Sequence, residues 1–140
     1  MISRTTATLA TAHIAATLAR LDLGGPAPAG VRVYSTPVPA ANGSHSDTPM
    51  CTVALFNPAG VIDGATLVLS PAGPGLVMTA GHPRWAELVA ADGAVLHVGD
   101  VTDADHDGFW RVSGATTPEG ETSPFFAAGG LLSLGTVVLT

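Results

Sequence analysis

Apolar positions near the N-terminus recur in the pattern of an amphipathic helix. They are separated by three or four residues, which places them on one helical face: Ala7, Ala10, Ile14, Leu18 and Leu21. Ser3 is a suitable N-cap, and the glycine- and proline-rich segment 24–30 ends the helix. The sequence therefore predicts an N-terminal α-helix within residues 1–25. Its alanine-rich face is expected to pack closely on a flat surface, either the domain's own sheet or a neighbouring subunit.

After Gly30 the pattern changes to the alternation of apolar and polar residues that is typical of β-strands. Short strands are expected at residues 31–35, 51–56, 65–70, 109–113 and 134–139. Turn signals separate them roughly every eight to twelve residues, as in β-sandwiches. The sequence therefore predicts a mainly β protein, with a single β-sandwich or jelly-roll-like domain at 26–140 after the N-terminal α-helix.

The clearest local signal is a β-hairpin within residues 85–101. Asp92-Gly93 stands between two apolar runs, and both residue types tolerate the positive φ that a two-residue hairpin turn requires. Pairing outward from this turn sets Val89 opposite Leu96. Alternation then assigns one set of residues to a common face: Trp85, Glu87, Val89, Leu96, Val98 and Asp100.

Glu87 is the one carboxylate on this face that lies among large apolar residues. A buried charge without a partner is costly, so Glu87 is expected to be paired. Arg111, in the expected strand 109–113, is placed to supply that partner. We interpret such a pair as structural and not as a general acid.

Charge is scarce along the whole chain. Charged residues make up 11% of the sequence, and the formal net charge is −6 at pH 7. The basic residues are five scattered arginines, with no cluster that could neutralise phosphates, so no nucleic acid is expected as a partner. The absence of lysine excludes a P-loop lysine and a Schiff-base lysine. A weakly charged surface suits a protein that works packed against its neighbours.

Neither a membrane span nor a disulfide within the chain is expected. There is no run of about 20 apolar residues, the length that a transmembrane helix needs. Cys51 is the single cysteine, and its strand setting indicates a buried structural thiol.

The segment 99–110 contains the first half of a calcium-binding loop. Asp103, Asp105 and Asp107 alternate and are followed by Gly108, so their carboxylates could converge on a hard cation. The bidentate glutamate of an EF-hand is missing, because the twelfth loop position is Gly114. Two interpretations stay open: a solvated acidic turn without a cofactor, and a structural Ca²⁺ site.

A small hydrolase would need a pocket that unites a histidine with a carboxylate. The segment 44–47 holds Ser44, His45 and Asp47, but neighbours in sequence do not have the geometry of a catalytic triad. No nucleophile-elbow pattern supports it. The expectation is that the protein is not an enzyme and has no catalytic residues.

The order of these parts resembles a family of small virion structural proteins of tailed bacteriophages. The resemblance covers an alanine-rich helix, the segments VRVYSTPVP and LFNPA, the hairpin RWAELVAADGAVLHVGDV, and the C-terminal SLGTVVLT. Two segments depart from the family pattern: TDADHDGFWRV replaces a less acidic stretch, and TTPEGETSPFF has the character of an insertion.

The resemblance implies a non-enzymatic protein of the virion, assembled in the host cytoplasm. Its first expected role is a capsid-bound decoration or cementing subunit, and the alternative is a neck, tail or baseplate component. The expected partners are other virion proteins and further copies of the chain, with Ile14, Leu18 and Leu21 as assembly contacts. A different class is also open, namely a calcium-dependent module that binds carbohydrate or another surface, with Trp85 or Trp110 as a sugar platform.

Overall fold

The computed structural model describes residues 3–25, 27–39 and 45–140. Within these ranges the chain forms one helix and nine strands. They are α1 (Ala7–Asp22), β1 (Gly30–Tyr34), β2 (Cys51–Asp63), β3 (Thr66–Pro71), β4 (Gly75–Leu76), β5 (Trp85–Val89), β6 (Val95–Asp103), β7 (Trp110–Ser113), β8 (Leu131–Leu134) and β9 (Val138–Leu139). The expected fold class, mainly β with an N-terminal helix, is confirmed.

The strands form a curled, mixed sheet in the order β4-β8-β7-β6-β5-β1-β2-β3-β9. Neighbouring strands are antiparallel except β6 and β7, which run parallel. The curl brings the chain after β4 back to the start of β2, where the Met78 N–H donates to the Met50 carbonyl over 2.8 Å. Such a curled sheet is compatible with a β-sandwich or jelly roll.

Helix α1 begins one turn later than its sequence pattern indicates. Thr6, not Ser3, is the N-cap, and its Oγ1 accepts a hydrogen bond from the Leu9 N–H over 3.3 Å. The cap satisfies one of the N–H groups that have no partner within the helix. In the part of the chain that the structure describes, no helix has the length and hydropathy needed to cross a membrane.

The apolar stripe of α1 packs on β2 and β3. Ile14 and Leu21 are buried in the core, and Leu18 packs against it from a partly buried position. Of the two surfaces that the sequence left open for this face, the structure therefore selects the domain's own sheet. The prediction that these three residues contact a neighbouring subunit is therefore corrected. Ile14 and Leu21 belong to the core, and Leu18 lies at its edge.

Strand β2 is longer than its sequence predicts, because it continues through a segment that resembles a turn. Residues 56–59 interrupt the pairing with β3, and the register shifts between Leu55 and Gly60. At Gly60 a Cβ atom would lie 2.5 Å from the Val68 carbonyl oxygen, so only glycine allows the two strands to approach this closely. The proline–glycine signal thus marks an irregularity inside a strand.

The hairpin formed by β5 and β6 has most of the predicted register. Trp85 pairs with Asp100 and Leu88 pairs with His97, as the pairing outward from Asp92-Gly93 requires. Near the turn the register shifts, so that Val89 faces Val95 and not Leu96. The shift is a β-bulge, which inserts an extra residue into one strand.

The hydrophobic core is built from α1 and the inward-facing residues of the strands. Val31 of β1 and Leu88 of β5 are buried in it. Trp110 lies in the same cluster, and its indole N–H donates to the Ala86 carbonyl over 3.1 Å. Because alternate residues of β1 and β5 point to the opposite face, this sheet has a second buried surface, on which the candidate site lies.

Candidate functional site

The acidic segment after β6 forms a short return loop between two parallel strands. Parallel neighbours usually need a long crossover, whereas here residues 104–109 make the connection. Side-chain oxygens of β6 accept backbone N–H groups of the loop: Asp100 Oδ1 from Phe109 and Thr102 Oγ1 from Gly108, both over 3.0 Å. Where the chain reverses, these side-chain oxygens therefore accept the backbone N–H groups that a neighbouring strand would otherwise bind.

Both carboxylate oxygens of Asp103 accept hydrogen bonds from other residues of the chain. Oδ1 accepts from His106 Nδ1 over 2.6 Å and from the Asp105 N–H over 3.1 Å, and Oδ2 accepts from the Thr117 hydroxyl over 2.6 Å. The hydrogen bond from Thr117, followed by that from His106, lowers the pKa of the Asp103 carboxyl. Asp103 thereby joins the return loop to the 114–125 segment.

The three predicted calcium ligands differ in their surroundings. Asp103 is engaged as above and Asp105 is exposed, whereas Asp107 is fully exposed and lies 3.4 Å from the Arg111 guanidinium. Among the described residues, no group of three or more His, Cys, Asp or Glu side chains is arranged to hold a metal ion. The Ca²⁺ site stays a prediction.

The two tryptophans are not surface platforms. Trp85 and Trp110 are each 0% exposed. Stacking on a sugar requires an accessible indole face, so the prediction that these two residues contact carbohydrate is corrected. Trp110 belongs to the core, and Trp85 to the buried cluster on the second face of the sheet.

Glu87 is the centre of that buried cluster. It is only 2% exposed, although it lies in the middle of β5. Oε1 accepts a hydrogen bond from the Tyr34 hydroxyl over 2.6 Å, and Oε2 accepts from His45 Nε2 over 3.1 Å. The Arg32 guanidinium lies 3.8 Å from Oε1. Both carboxylate oxygens are thus satisfied, with a cation nearby.

The partner of Glu87 is therefore not Arg111, which lies beside Asp107 instead. Strand β1 is the neighbour of β5, and the register sets Arg32 opposite Glu87. Side chains directly opposite each other on neighbouring strands lie on the same face and interact. The sequence indicated that Glu87 needs a partner, but not which strand would supply it.

Aromatic rings enclose the carboxylate. Tyr34 and Trp85 stack with their ring centroids 4.2 Å apart, and His45 packs edge-on against both. His45 Nδ1 accepts the Asp47 N–H over 3.3 Å, so its other nitrogen, Nε2, carries the proton donated to Glu87. Burial and the neighbouring Glu87 carboxylate raise the pKa of the Tyr34 phenol well above its ordinary value.

A cleft of about 270 Å³ opens on the same face, beside Arg32. Its floor consists mainly of small residues, because Gly30 of β1 faces Ala54 of β2 on one side and Val89 of β5 on the other. The hairpin turn forms one wall. Among the residues that line the cleft are Gly30, Arg32, Thr52, Ala54, Val89 and Ala91.

An apolar patch lies at the edge of the sheet formed by β4 and β8. Leu76 pairs with Leu131, and each side chain is 53% exposed. Met78 is 69% exposed and shares this face, because Val77 between it and Leu76 points into the core. We call these three residues the β4–β8 patch. Contiguous apolar surface of this kind commonly marks an interaction site.

The remaining chemical candidates are separate from one another. Cys51 is buried, as expected, and burial raises the pKa of its thiol to about 11. His82 donates to the Ser123 carbonyl over 3.0 Å, while His97 packs against Phe109. Ser44, the third residue of the hydrolase hypothesis, lies outside the described residues. His45 does meet a carboxylate, yet Glu87 is buried, His45 is half-buried, and neither residue lines the cleft.

Comparison of the chain with family models, curated proteins and solved structures gives no match in any of the three. The fold defines a class, a mainly β protein with an N-terminal helix.

Proposed function

We propose that the protein is a non-enzymatic structural subunit of a virion and acts by burying apolar strand surface against neighbouring subunits. The resemblance to small virion proteins of tailed bacteriophages favours a capsid-bound decoration or cementing subunit. A neck, tail or baseplate component would use the same kind of contact. The β4–β8 patch is the observation that carries the proposal.

The energetics of the patch favour association. Leu76, Met78 and Leu131 are large apolar side chains held on a sheet and exposed to water. Complete burial of a fully exposed side chain of this size contributes about 1.5–3 kcal/mol, so covering the half to two thirds that is still exposed contributes about 1–2 kcal/mol each. The low content of charged residues agrees with a surface that is covered in the working state.

Sedimentation velocity of the purified protein over a range of concentrations tests the contact. The wild type is expected to self-associate, and the double variant Leu76→Glu/Leu131→Glu to sediment as a monomer. Val61→Glu is the matched control, because Val61 is 62% exposed, slightly more than the two leucines, but lies on β2. Since all three positions are exposed, the melting temperature should change little. Association that persists in the double variant, or a wild type that is monomeric throughout, would contradict the proposed contact.

The assignment to a virion needs a separate measurement. Electron cryo-microscopy of the particles whose genome encodes this chain is expected to show its density at many symmetry-related positions. A finished particle without the protein would contradict the assignment.

A further inference from the structure

The cleft beside Arg32 combines an apolar floor with one guanidinium. Small side chains on β1 and β2 leave a depression in a face that is otherwise filled by Tyr34 and Trp85. Thr52 and Ala54 on this floor are exposed, so it is open to solvent. The volume, about 270 Å³, lies just below the usual range of about 300–1,000 Å³ for ligand pockets. A ligand for this cleft is therefore a small molecule.

Among the residues that the structure describes, Arg32 has hydrogen-bond donors to spare. Its nearest carboxylate oxygen, on Glu87, is 3.8 Å away, which exceeds hydrogen-bonding distance. Tyr34 and His45 already occupy the oxygens of Glu87. Glu87 therefore attracts the guanidinium without using its N–H groups, and the Arg32 side chain is 42% exposed where it lines the cleft.

Arg32 also differs from the other ion-paired arginines of the described chain. Arg20, Arg84 and Arg111 lie 3.0–3.4 Å from partly or fully exposed carboxylates. Arg32 alone among these four faces a buried carboxylate and lines the cleft. A guanidinium presents a planar fork of donors that matches a carboxylate in a bidentate arrangement.

We propose that this cleft binds a small monocarboxylate with an apolar body. The carboxylate accepts hydrogen bonds from Arg32, and the apolar body lies on Gly30, Ala54 and Val89. Glu87 is a positioning residue, since it acts through Arg32 and is too deeply buried to contact the ligand. The inference is independent of the assembly contact, because the cleft and the β4–β8 patch share no residue.

Benzoate is a suitable probe, with benzamide as its uncharged analogue of nearly equal shape. In ¹H–¹⁵N correlation spectra at constant ionic strength, benzoate is expected to shift the amides of Gly30, Ala54 and Ala91 saturably. The expected Kd is on the order of 1 mM, and benzamide should bind at least about tenfold more weakly. Shifts that are equal for both compounds, or that occur away from the cleft, would overturn the proposal. The absence of saturable shifts well above that concentration would overturn it as well.

Two substitutions test the two halves of the site. Arg32→Gln should weaken benzoate binding at least about tenfold, while Arg111→Gln, the matched arginine control, should leave it unchanged. Ala54→Phe fills the cleft while it keeps both Arg32 and Glu87 in the protein, and it should abolish the shifts. It also keeps the proposal testable if Arg32→Gln destabilises the fold around Glu87. Benzoate binding that survives Ala54→Phe would overturn the proposed position.

Discussion

The Tyr34 hydroxyl donates a 2.6 Å hydrogen bond to Glu87, a residue 53 positions further along the chain. The pairing of β1 with β5 makes this contact, because it sets the two strands side by side with Tyr34 next to Trp85. A buried carboxylate is expensive unless its oxygens are hydrogen-bonded. Tyr34 and His45 meet that requirement, and through His45 the network also attaches residues 45–47 to the sheet.

Tyr34→Phe should destabilise the protein by about 1–3 kcal/mol, because it leaves Oε1 of Glu87 without its donor while preserving the ring that stacks on Trp85. Urea denaturation measures the change. Thr11→Ala is the control, since it removes a hydroxyl donor from an exposed position on α1, where the loss should stay within about 0.5 kcal/mol. If both substitutions change the free energy of unfolding equally, the buried hydrogen bond of Tyr34 stabilises the protein no more than an exposed one.

The ionisation of Tyr34 should couple folding to alkaline pH. Its pKa is raised in the folded protein, chiefly by burial and then by Glu87, so the unfolded chain loses this proton first. The stabilisation is present in full below about pH 10, the ordinary tyrosine pKa, and is lost as the pH rises above it. Tyr34 is the single tyrosine, so the near-ultraviolet absorbance of tyrosinate follows this one group. It is expected to appear only together with unfolding; tyrosinate forming near pH 10 in folded protein would contradict the buried environment.

The sequence could predict the β5–β6 hairpin and the position of Glu87 on it, because both depend on residues that are close together in the chain. The hairpin between β5 and β6 follows from Asp92-Gly93, but its turn contains three residues and not the expected two, because the Ala90 N–H donates to the Ala94 carbonyl. Gly93 is the last residue of this turn and adopts a φ of 93°. The same register places Glu87 beside Trp85 and shows that the carboxylate needs a partner. The bulge at Val89 could not be foreseen, because an extra residue in one strand leaves the apolar pattern almost unchanged.

The partner of Glu87 and the parallel pair of β6 and β7 depend on the order of strands in the sheet. Short-range sequence patterns do not determine that order. The sequence predicts Arg111 as the partner of Glu87, and only the position of β1 beside β5 shows that Arg32 takes this place. The parallel pairing of β6 and β7 was hidden for the same reason. A six-residue acidic segment between two strands suggests an antiparallel turn, and only the hydrogen bonds from Asp100 and Thr102 show how it closes a parallel pair.

Leu21→Ala should lower the free energy of unfolding by about 2–5 kcal/mol, because Leu21 is fully buried between α1 and the sheet. Leu9→Ala, on the exposed side of the same helix, should change it by less than about 0.5 kcal/mol. Thermal and urea denaturation measure both. If this helix face were an assembly contact, Leu21→Ala would instead reduce self-association while leaving the monomer as stable as before.

Calcium should leave the melting temperature unchanged, because Asp103 would have to release Thr117 and His106 before its oxygens could bind a cation. A true site would behave differently: at a calcium concentration 100 times the Kd, binding stabilises the fold by about 2.7 kcal/mol. Differential scanning fluorimetry with calcium and with magnesium separates the two cases. A rise that is specific for calcium, disappears in Asp105→Asn and persists in the exposed control Glu119→Gln would establish the metal site. The hydrogen bonds of Asp103 would then describe only the metal-free form of the return loop.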